Sequence, residues 1–357
     1  MKLETLGWNG FFEAYFAPHR DKQLSPGRVA IQHKERYVLY TETGELWGQV
    51  SGKFRFETTG LQDFPAVGDW IAYEASTEDQ PAIIHHVLER KSKFSRKVAG
   101  DRTDEQILAA NIDIAFLVMG LDANYNLRRL ERLLTVAWES GARPIIVLNK
   151  SDISENLEEC TQEVLDIAHG VDLIVMSAQH PEEIAPFYSL LTPGTTGVLL
   201  GSSGVGKSTI TNLLLGEEYL KVQEVRITDS RGRHTTTHRE LLVLPNGGMI
   251  IDTPGLRELQ IWGGEDGLQE SFDDIQELSS QCRFRDCRHE AEPHCAVKQA
   301  LENGTLDPDR YESFQKLQRE ILYQKMRNSM SPQRVEKLRW KKVAKLIKSK
   351  LHNRDKQ

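Results

Sequence analysis

One glycine-rich stretch restricts the possible folds of this chain more than any other part of its sequence. Residues 201–209 have the spacing G-x-x-x-x-G-K-[ST] of a phosphate-binding loop. An apolar run that predicts a buried strand precedes the stretch, and a helical pattern follows it. This order places a helix N-terminus against phosphates and disfavours a glycine-rich turn without a ligand. The predicted phosphate-binding residues are Gly201, Ser202, Ser203, Gly204, Val205, Gly206, Lys207, Ser208 and Thr209.

Several side chains near this loop have specific chemical roles in the prediction. Lys207 is expected to reach the outer phosphates, which makes it a catalytic candidate, and Ser208 offers its hydroxyl to Mg²⁺. Asp252 follows a predicted strand at residues 248–251 and would hold the same ion through water. The backbone N–H of Gly255 would sense the γ-phosphate, although the sequence Asp-Thr-Pro-Gly also favours an ordinary turn.

A threonine-rich segment completes the predicted magnesium site. Residues 232–237 read Gly-Arg-His-Thr-Thr-Thr, which is typical of a segment that becomes ordered when a threonine hydroxyl reaches Mg²⁺. Thr236 is assigned to that role, and its two neighbouring threonines remain alternatives. Ser208, Thr236 and Asp252 would then form a complete set of magnesium ligands.

The base of the nucleotide is addressed by the sequence Asn149-Lys150-Ser151-Asp152, which follows a predicted strand at residues 144–148. An ionised Asp152 only accepts hydrogen bonds, so it pairs with the N1–H and amino donors of guanine. Asn149 can serve the O6/N7 side of the base, and the stem of Lys150 can cover the ring. A second base contact is expected from Ser177 and Ala178, just past the next predicted strand. The expected ligands are therefore GTP and GDP.

These motifs occur in an unusual order along the chain. Ordinary GTPases run from the phosphate loop through the switch threonine and D-x-x-G to N-K-x-D and S-A. Here N-K-x-D and S-A come first. Joining the ordinary termini and cutting the chain between D-x-x-G and N-K-x-D produces this order without moving any strand, so we predict a circularly permuted but intact site.

Three of the four cysteines cluster with a histidine near the C-terminus, at Cys282, Cys287, His289 and Cys295. Three thiolates and one imidazole saturate a tetrahedral Zn²⁺, which predicts one structural zinc ion rather than a catalytic one. His294 is a rival for the fourth ligand, and a cluster without metal is the alternative. This use of cysteine fits a reducing compartment better than a disulfide framework does.

The N-terminal part of the chain has a different pattern. An amphipathic helix ending at Pro18 is predicted for the first 25 residues, with its aromatic side chains as a packing face. About five short strand-like runs follow in residues 28–89, which fits a small closed barrel such as an OB-fold, a frequent binder of oligonucleotides. The polar, basic residues 91–104 are interpreted as a linker. From Gln106 strands and helices alternate, which predicts a mostly parallel sheet covered on both faces.

Charge is unevenly distributed along the chain. The net charge is −7, yet residues 311–357 carry 14 Lys or Arg against 4 Asp or Glu. A basic tail on an acidic body indicates a polyanionic partner, although a solvated helix face is the alternative. No apolar run approaches the roughly 20 residues that span a bilayer, and the N-terminus lacks a signal-peptide pattern. We therefore expect a cytoplasmic protein that does not bind a membrane.

Taken together and in their order, these motifs resemble the circularly permuted, ribosome small-subunit-dependent GTPases of the RsgA/YjeQ type. The resemblance implies an all-β OB-fold barrel, a circularly permuted α/β P-loop GTPase domain and a C-terminal α-helical zinc-binding domain. The expected divisions are an N-terminal helical extension (1–27), the barrel (28–100), the GTPase domain (101–265) and the zinc-binding domain with its basic tail (266–357). It also implies a late role in assembly of the small ribosomal subunit, whose rRNA stimulates hydrolysis. We expect a monomer without a DNA partner.

The sequence motifs do not by themselves identify the group that orients the attacking water. Leu256 stands where many GTPases place a glutamine, and a leucine cannot orient water, so intrinsic turnover should be slow. The resemblance points to His234 for this role, and a surface histidine without it is the alternative. A protein that binds RNA, is stabilised by nucleotide and hydrolyses it only incidentally is the competing function.

Overall fold

A single sheet of eleven strands runs through the part of the chain that this computed structural model describes, namely residues 1–33, 36–76, 80–97, 105–216, 239–252, 266–290 and 292–329. A separate sheet of two strands lies beside it. The strands are β1 (Ser25–Gln32), β2 (Tyr37–Thr41), β3 (Gly44–Val50), β4 (Trp70–Glu74), β5 (Ala82–Val87), β6 (Lys93–Lys97), β7 (Glu105–Ala110), β8 (Ile114–Gly120), β9 (Arg143–Asn149), β10 (Asp172–Val175), β11 (Thr196–Leu200), β12 (Arg239–Val243) and β13 (Met249–Asp252).

The helices mostly lie between the strands and at the C-terminal end. They are α1 (Gly10–Phe16), α2 (Gly52–Glu57), α3 (Leu127–Ser140), α4 (Leu157–Ile167), α5 (Ala185–Leu190), α6 (Lys207–Leu215), α7 (Asp266–Ser271), α8 (Asp273–Ser280), α9 (Ala296–Glu302) and α10 (Pro308–Ser329). Short 3₁₀ helices occur at Glu4–Leu6, Ala17–Lys22, Leu61–Asp63, Ser151–Ile153 and Pro181–Ile184. Within the described ranges, none of the helices combines the length and the apolar character needed to cross a bilayer.

The first five strands form the predicted barrel. It closes because β1 pairs with both β2 and β4, while β3 and β4 each pair with β5. Val29, Leu39, Ile71 and Ile84 are buried in its interior. A register shift between Val29 and Ile31 marks a bulge in β1, and such bulges bend strands at the corners of barrels. The five predicted strands are therefore confirmed.

The second half of the large sheet is mostly parallel, also as predicted. Its order is β10-β9-β8-β11-β13, all parallel, followed by β12 antiparallel to β13. Helices α3 and α4 cover one face through Leu134 and Val164, and helices α5 and α6 cover the other through Phe187 and Ile210. Because both faces are covered, every residue of β8 is buried, which explains its uninterrupted apolar sequence.

The segment that we interpreted as a linker contains a strand. β6 pairs antiparallel with β7, and the side chain of Phe94 is buried between neighbouring elements. Lys93, one of the basic residues that suggested a linker, is exposed on this strand and forms an ion pair with Glu105 at 3.0 Å. The prediction was therefore wrong for residues 93–97, and residues 98–104 lie outside the described ranges.

The N-terminal segment packs its aromatic side chains against the barrel. The predicted helix is divided into α1, which ends at Phe16, and a 3₁₀ helix that follows it. The ring centroid of Trp8 lies 4.8 Å from that of Trp70, and the centroid of Phe12 lies 5.7 Å from it. These contacts confirm that the aromatics form a packing face.

The described residues beyond position 265 are helical, apart from the loop that carries the cysteines. Helix α7 lies so close against α3 that a Cβ atom at Gly267 would lie 2.5 Å from the carbonyl oxygen of Thr135. The sequence predicts two helices here, at residues 309–328 and 334–350, and α10 agrees closely with the first of them. The further helix predicted at residues 334–350 lies outside the described ranges.

Candidate nucleotide site and metal-ligand cluster

The phosphate-binding loop connects β11 to α6, at the carboxyl edge of the parallel strands. Gly201 and Gly206 have positive φ angles of 146° and 102°. A Cβ atom on Gly201 would lie 2.2 Å from the carbonyl oxygen of Val118, and one on Gly206 would lie 2.2 Å from Nδ2 of Asn149. Both positions therefore require glycine, for backbone conformation and for close approach.

The ammonium group of Lys207 lies across the first residues of this loop. Its Nζ donates hydrogen bonds to the carbonyl oxygens of Gly201 (2.8 Å) and Ser202 (2.6 Å). Lys207 is also the first residue of α6, and Ser208 follows it in the first helical turn. A phosphate that entered the loop would meet this ammonium, the helix N-terminus and the hydroxyl of Ser208 together.

The side chain of Asn149 joins the phosphate loop to the two segments predicted to bind the base. Asn149 ends β9 and is only 1% exposed. Its Nδ2 donates to the carbonyl oxygen of Val205 at 2.8 Å, and its Oδ1 accepts from the backbone N–H of Ala178 at 2.9 Å. The sequence alone suggested a contact with the guanine edge; in this structure both ends of the amide bond to the protein and fix three loops relative to one another.

Asp152 and Ser177 also meet at this edge. The hydroxyl of Ser177 donates a hydrogen bond to the carboxylate of Asp152, and the backbone N–H of Ser151 donates to the carbonyl oxygen of Met176 at 3.2 Å. Ser177 is buried, whereas Asp152 is exposed. The N-K-x-D and S-A segments therefore form one surface with an exposed carboxylate at its centre.

Lys150 has a partner that the sequence analysis missed. Its Nζ lies 2.6 Å from Oδ2 of Asp122, just past the end of β8, and its backbone has a positive φ of 67°. Partial burial of Asp122 opposes ionisation, but hydrogen bonds from Lys150 and Asn124 outweigh it and hold the pKa of this carboxyl below its ordinary value. Its position directly after a buried parallel strand was the available signal.

The predicted magnesium ligands are only partly within the described residues. Asp252 ends β13, which pairs in parallel with β11, the strand from which the phosphate-binding loop leads to Ser208 in α6. His234, Thr236, Gly255 and Leu256 lie outside the described ranges.

Four potential metal ligands converge in the C-terminal part. One ligand atom from each of Cys282, Cys287, His289 and Cys295 lies within 4.8 Å of the others. The sulfur of Cys282 is 3.8 Å from that of Cys295, and Nδ1 of His289 is 3.3 Å from the latter sulfur. Zinc–sulfur bonds of about 2.3 Å at tetrahedral angles give sulfur separations of about 3.8 Å, so the group has the dimensions of a tetrahedral site.

The neighbours of this group are also suited to metal ligands. Ser279 lies 3.3 Å from Nε2 of His289 and leaves Nδ1 directed at the sulfurs, as a partner of a ligating imidazole does. The backbone N–H of Lys298, at the start of α9, donates to the sulfur of Cys295 at 3.4 Å. His294, the rival ligand, does not belong to the group found among the described residues.

Comparisons with known proteins agree with this geometry. A family model described as RsgA GTPase matches residues 87–262. The small ribosomal subunit biogenesis GTPase RsgA of Opitutus terrae is 45% identical over 352 residues, covering 96% of both chains. A protein named small ribosomal subunit biogenesis GTPase RsgA 1 from Listeria innocua is 43% identical over 357 residues, covering both chains fully.

Solved structures resemble the fold as well. The crystal structure of YjeQ from Thermotoga maritima matches with a TM-score of 0.62 and 27% identity, covering 84% of this chain and 99% of the other. The structure of YloQ, described as a circularly permuted GTPase, matches with a TM-score of 0.61 and 26% identity, covering 85% of this chain and 96% of the other.

Proposed function

The chain belongs to the RsgA GTPase family, and from this premise we propose that it hydrolyses GTP to GDP and phosphate during late biogenesis of the small ribosomal subunit. The observation that carries the proposal is the amide of Asn149, which bonds to both the phosphate loop and the S-A segment. This bridge makes one site from motifs whose order in the sequence is permuted. Such a site recognises guanine and triphosphate together.

Guanine is selected by Asp152, whose exposed carboxylate accepts from the N1–H and amino group of the base. Lys150 covers the base while Asp122 holds its ammonium group, and Ser177 orients Asp152. Lys207 exchanges its carbonyl partners for the outer phosphates, because hydrogen bonds to ionised oxygens are stronger than those to carbonyls.

Magnesium is the expected metal at this site. Its proposed ligands, Ser208, Thr236 and Asp252, are hard oxygen donors of the kind that Mg²⁺ prefers. When bound, the ion neutralises charge that develops on the β- and γ-phosphates. We assign the sensing of the γ-phosphate to Gly255 and the positioning of the attacking water to His234, since Leu256 cannot hold water.

The cluster of Cys282, Cys287, His289 and Cys295 is proposed to hold one structural Zn²⁺. All four ligands come from protein, which leaves no coordination position for a substrate and separates this site from catalysis. The zinc would stabilise a loop that is too short to bury a core of its own.

The barrel and the basic C-terminal residues are the proposed contacts with rRNA of the small subunit. Trp47 is 54% exposed and stacks with His33 at a centroid distance of 5.7 Å, and Phe56 is 91% exposed. Exposed aromatic rings on a barrel provide stacking surfaces for unpaired bases. Because small subunits assemble in the cytoplasm, we place the protein there as a monomer without membrane or DNA partners.

The domain boundaries are proposed at residues 27, 100 and 265, and the boundary at residue 100 falls between two strands that pair. β6 and β7 pair with each other on opposite sides of residue 100. The barrel and GTPase domains are therefore proposed to share this two-stranded sheet.

Phosphate release from GTP, with and without purified small ribosomal subunits, tests the function. We expect slow release alone and strong stimulation by the subunits, with ATP as the control nucleotide. Stimulation would exclude the competing function, an RNA-binding protein that nucleotide merely stabilises. Binding to subunits without any acceleration would support that competitor and contradict our proposal.

A further inference from the structure

The first turn of α3 contains two arginines at a position where the helix dipole disfavours positive charge. Arg128 and Arg129 follow the N-cap residue Asn126 by two and three positions. The positive end of the helix dipole disfavours cations in the first turn of a helix. Arg128 is compensated by ion pairs with Glu131 and Asp307. Arg129 therefore needs a different explanation.

Arg129 is exposed and directed at the phosphate-binding loop. Its Nη1 donates to Oγ of Ser202 at 3.1 Å and to the carbonyl oxygen of Asn124 at 3.4 Å. No carboxylate among the described residues forms an ion pair with it. A positively charged side chain in the first turn of a helix is locally unfavourable. Because Arg129 contacts the phosphate-binding loop rather than a carboxylate, its position indicates a function in that loop.

Ser202 connects two positive charges. Its hydroxyl accepts from Arg129, and its carbonyl oxygen accepts from Nζ of Lys207 at 2.6 Å. The guanidinium therefore lies next to the lysine that is expected to bind the outer phosphates. Because its present partners are an uncharged hydroxyl and a carbonyl, a phosphate oxygen would be a stronger acceptor for the same N–H groups.

The helix that carries Arg129 is fixed from its other side by the C-terminal helices. Arg132 binds both oxygens of Glu320 on α10, at 2.6 and 2.7 Å. Arg310, also on α10, lies 3.1 Å from the buried carboxylate of Glu131 and 2.7 Å from Asp274 on α8. These contacts hold the turns of α3 that contain Arg129. They therefore fix the position of the Arg129 backbone, from which its side chain extends.

We propose that Arg129 supplies a positive charge to the outer phosphates of bound GTP, and that the C-terminal helices hold it in position through Arg132 and Glu131. This inference rests on the proposed function, because it assigns a further residue to the same site. A guanidinium at the γ-phosphate stabilises charge that develops during transfer to water. No covalent step is added, and the arginine comes from the same chain.

Arg129→Gln and Arg129→Lys test the first part, with Arg143→Gln as the matched control. Arg143 is an exposed arginine at the opposite edge of the sheet, where it pairs with Asp172. The measurements are the Kd values of GDP and of a non-hydrolysable GTP analogue with Mg²⁺, and single-turnover hydrolysis. We expect Arg129→Gln to weaken binding of the analogue roughly tenfold, in line with one lost charged hydrogen bond, and to leave GDP within about twofold.

Selectivity for the triphosphate separates phosphate contact from support of the loop. A purely structural role would weaken GDP and the analogue equally, because both use the loop, and that result would overturn the proposal. Arg129→Lys should retain part of the affinity for the analogue, and Arg143→Gln all of it. If the wild-type protein binds no guanine nucleotide, the proposed function fails; if it binds and Arg129→Gln is unchanged, only this inference fails.

Glu320→Gln tests the second part, with Glu312→Gln on the exposed side of the same helix as its control. Loss of the pair with Arg132 should reduce affinity for the analogue more than for GDP. In combination with Arg129→Gln it should add little, because both changes remove the same contact. Fully additive losses, or no effect of Glu320→Gln, would show that the C-terminal helices do not position Arg129.

Discussion

The carboxylate of Glu131 and the guanidinium of Arg310 meet 3.1 Å apart inside the protein, although 179 positions separate them in the chain. Glu131 is fully buried and Arg310 nearly so. Arg310 also lies over the ring of Phe272, with its Cζ 4.7 Å from the centroid. The pair therefore joins α3, the helix after β8, to α10 in the C-terminal part of the chain.

Removing one charge of this pair should destabilise the protein strongly. Glu131→Gln leaves a buried guanidinium with fewer acceptors, for which we expect a loss of about 3 kcal/mol in the free energy of unfolding. Urea denaturation measures this loss, with the exposed residue Glu312→Gln as a control. A change below about 0.5 kcal/mol would mean that Asp274 and the carbonyl oxygen of Ser271 are sufficient partners for Arg310.

Asp152→Asn should change the base preference of the site. An asparagine amide offers a donor where the carboxylate only accepted, so guanine loses its match and xanthine gains one. We expect affinity for GDP to fall about 100-fold or more, in line with the loss of two charged hydrogen bonds, and affinity for xanthosine diphosphate to rise. Competition binding with the two nucleotides measures this, and unchanged preference for guanine would refute the assignment of Asp152.

Cys287→Ser should remove the metal and loosen the C-terminal helices. One of the four ligands, a thiolate, is lost, and a hydroxyl is a poor zinc ligand at neutral pH. We expect elemental analysis to find about one zinc per wild-type chain and far less in the variant, and proteolysis to cleave the variant faster near residue 290. Cys160→Ser, which lies outside the cluster, should retain its zinc. Wild-type protein that is folded and free of metal would contradict the zinc assignment.

Stability should fall as the pH decreases from about 7 towards 5. The rings of His19 and His86 stack at 4.3 Å between the N-terminal segment and the barrel. Burial, followed by the charges of His19, Lys22 and other nearby groups, lowers the pKa of His86. Burial likewise lowers the pKa of His19. The unfolded chain therefore binds more protons below pH 6.5, and stability is lost as the pH falls from 6.5 through the folded pKa.

His86→Gln should make this pH dependence less steep, as measured by urea denaturation at several pH values between 5 and 8. His169→Gln is the matched control because His169 is exposed. Equal slopes for wild type and His86→Gln would show that this histidine does not contribute to the acid sensitivity.

The motifs and most elements were predictable because their signals are local. The phosphate loop, its flanking strand and helix, and the residues that follow β9 each depend on a few neighbouring positions. The five barrel strands were predicted for the same reason. β6 was missed because its charged side chains resemble a linker, and only the burial of Phe94 against distant residues identifies a strand.

The contacts that assemble the site could not be predicted in this way. The bonds from Asn149 to Val205 and Ala178 join segments that are 56 and 29 positions away. The pairs of Lys150 with Asp122 and of Arg310 with Glu131 likewise depend on which helices and strand ends become neighbours. The sequence shows that each of these residues is polar or charged, but its partner is determined only by the tertiary arrangement.

Strand β1 joins the two halves of the large sheet, since its first residues close the barrel and its last two pair with β12, Ile31 opposite Glu240 and Gln32 opposite Arg239. β12 begins directly after the residues in which Thr236 is expected to reach magnesium. A displacement of that segment would therefore be transmitted along the backbone through β12 to strand β1 of the barrel. The bound nucleotide would then influence the barrel surface that carries Trp47 through the contact between β1 and β12, which is only two residue pairs long.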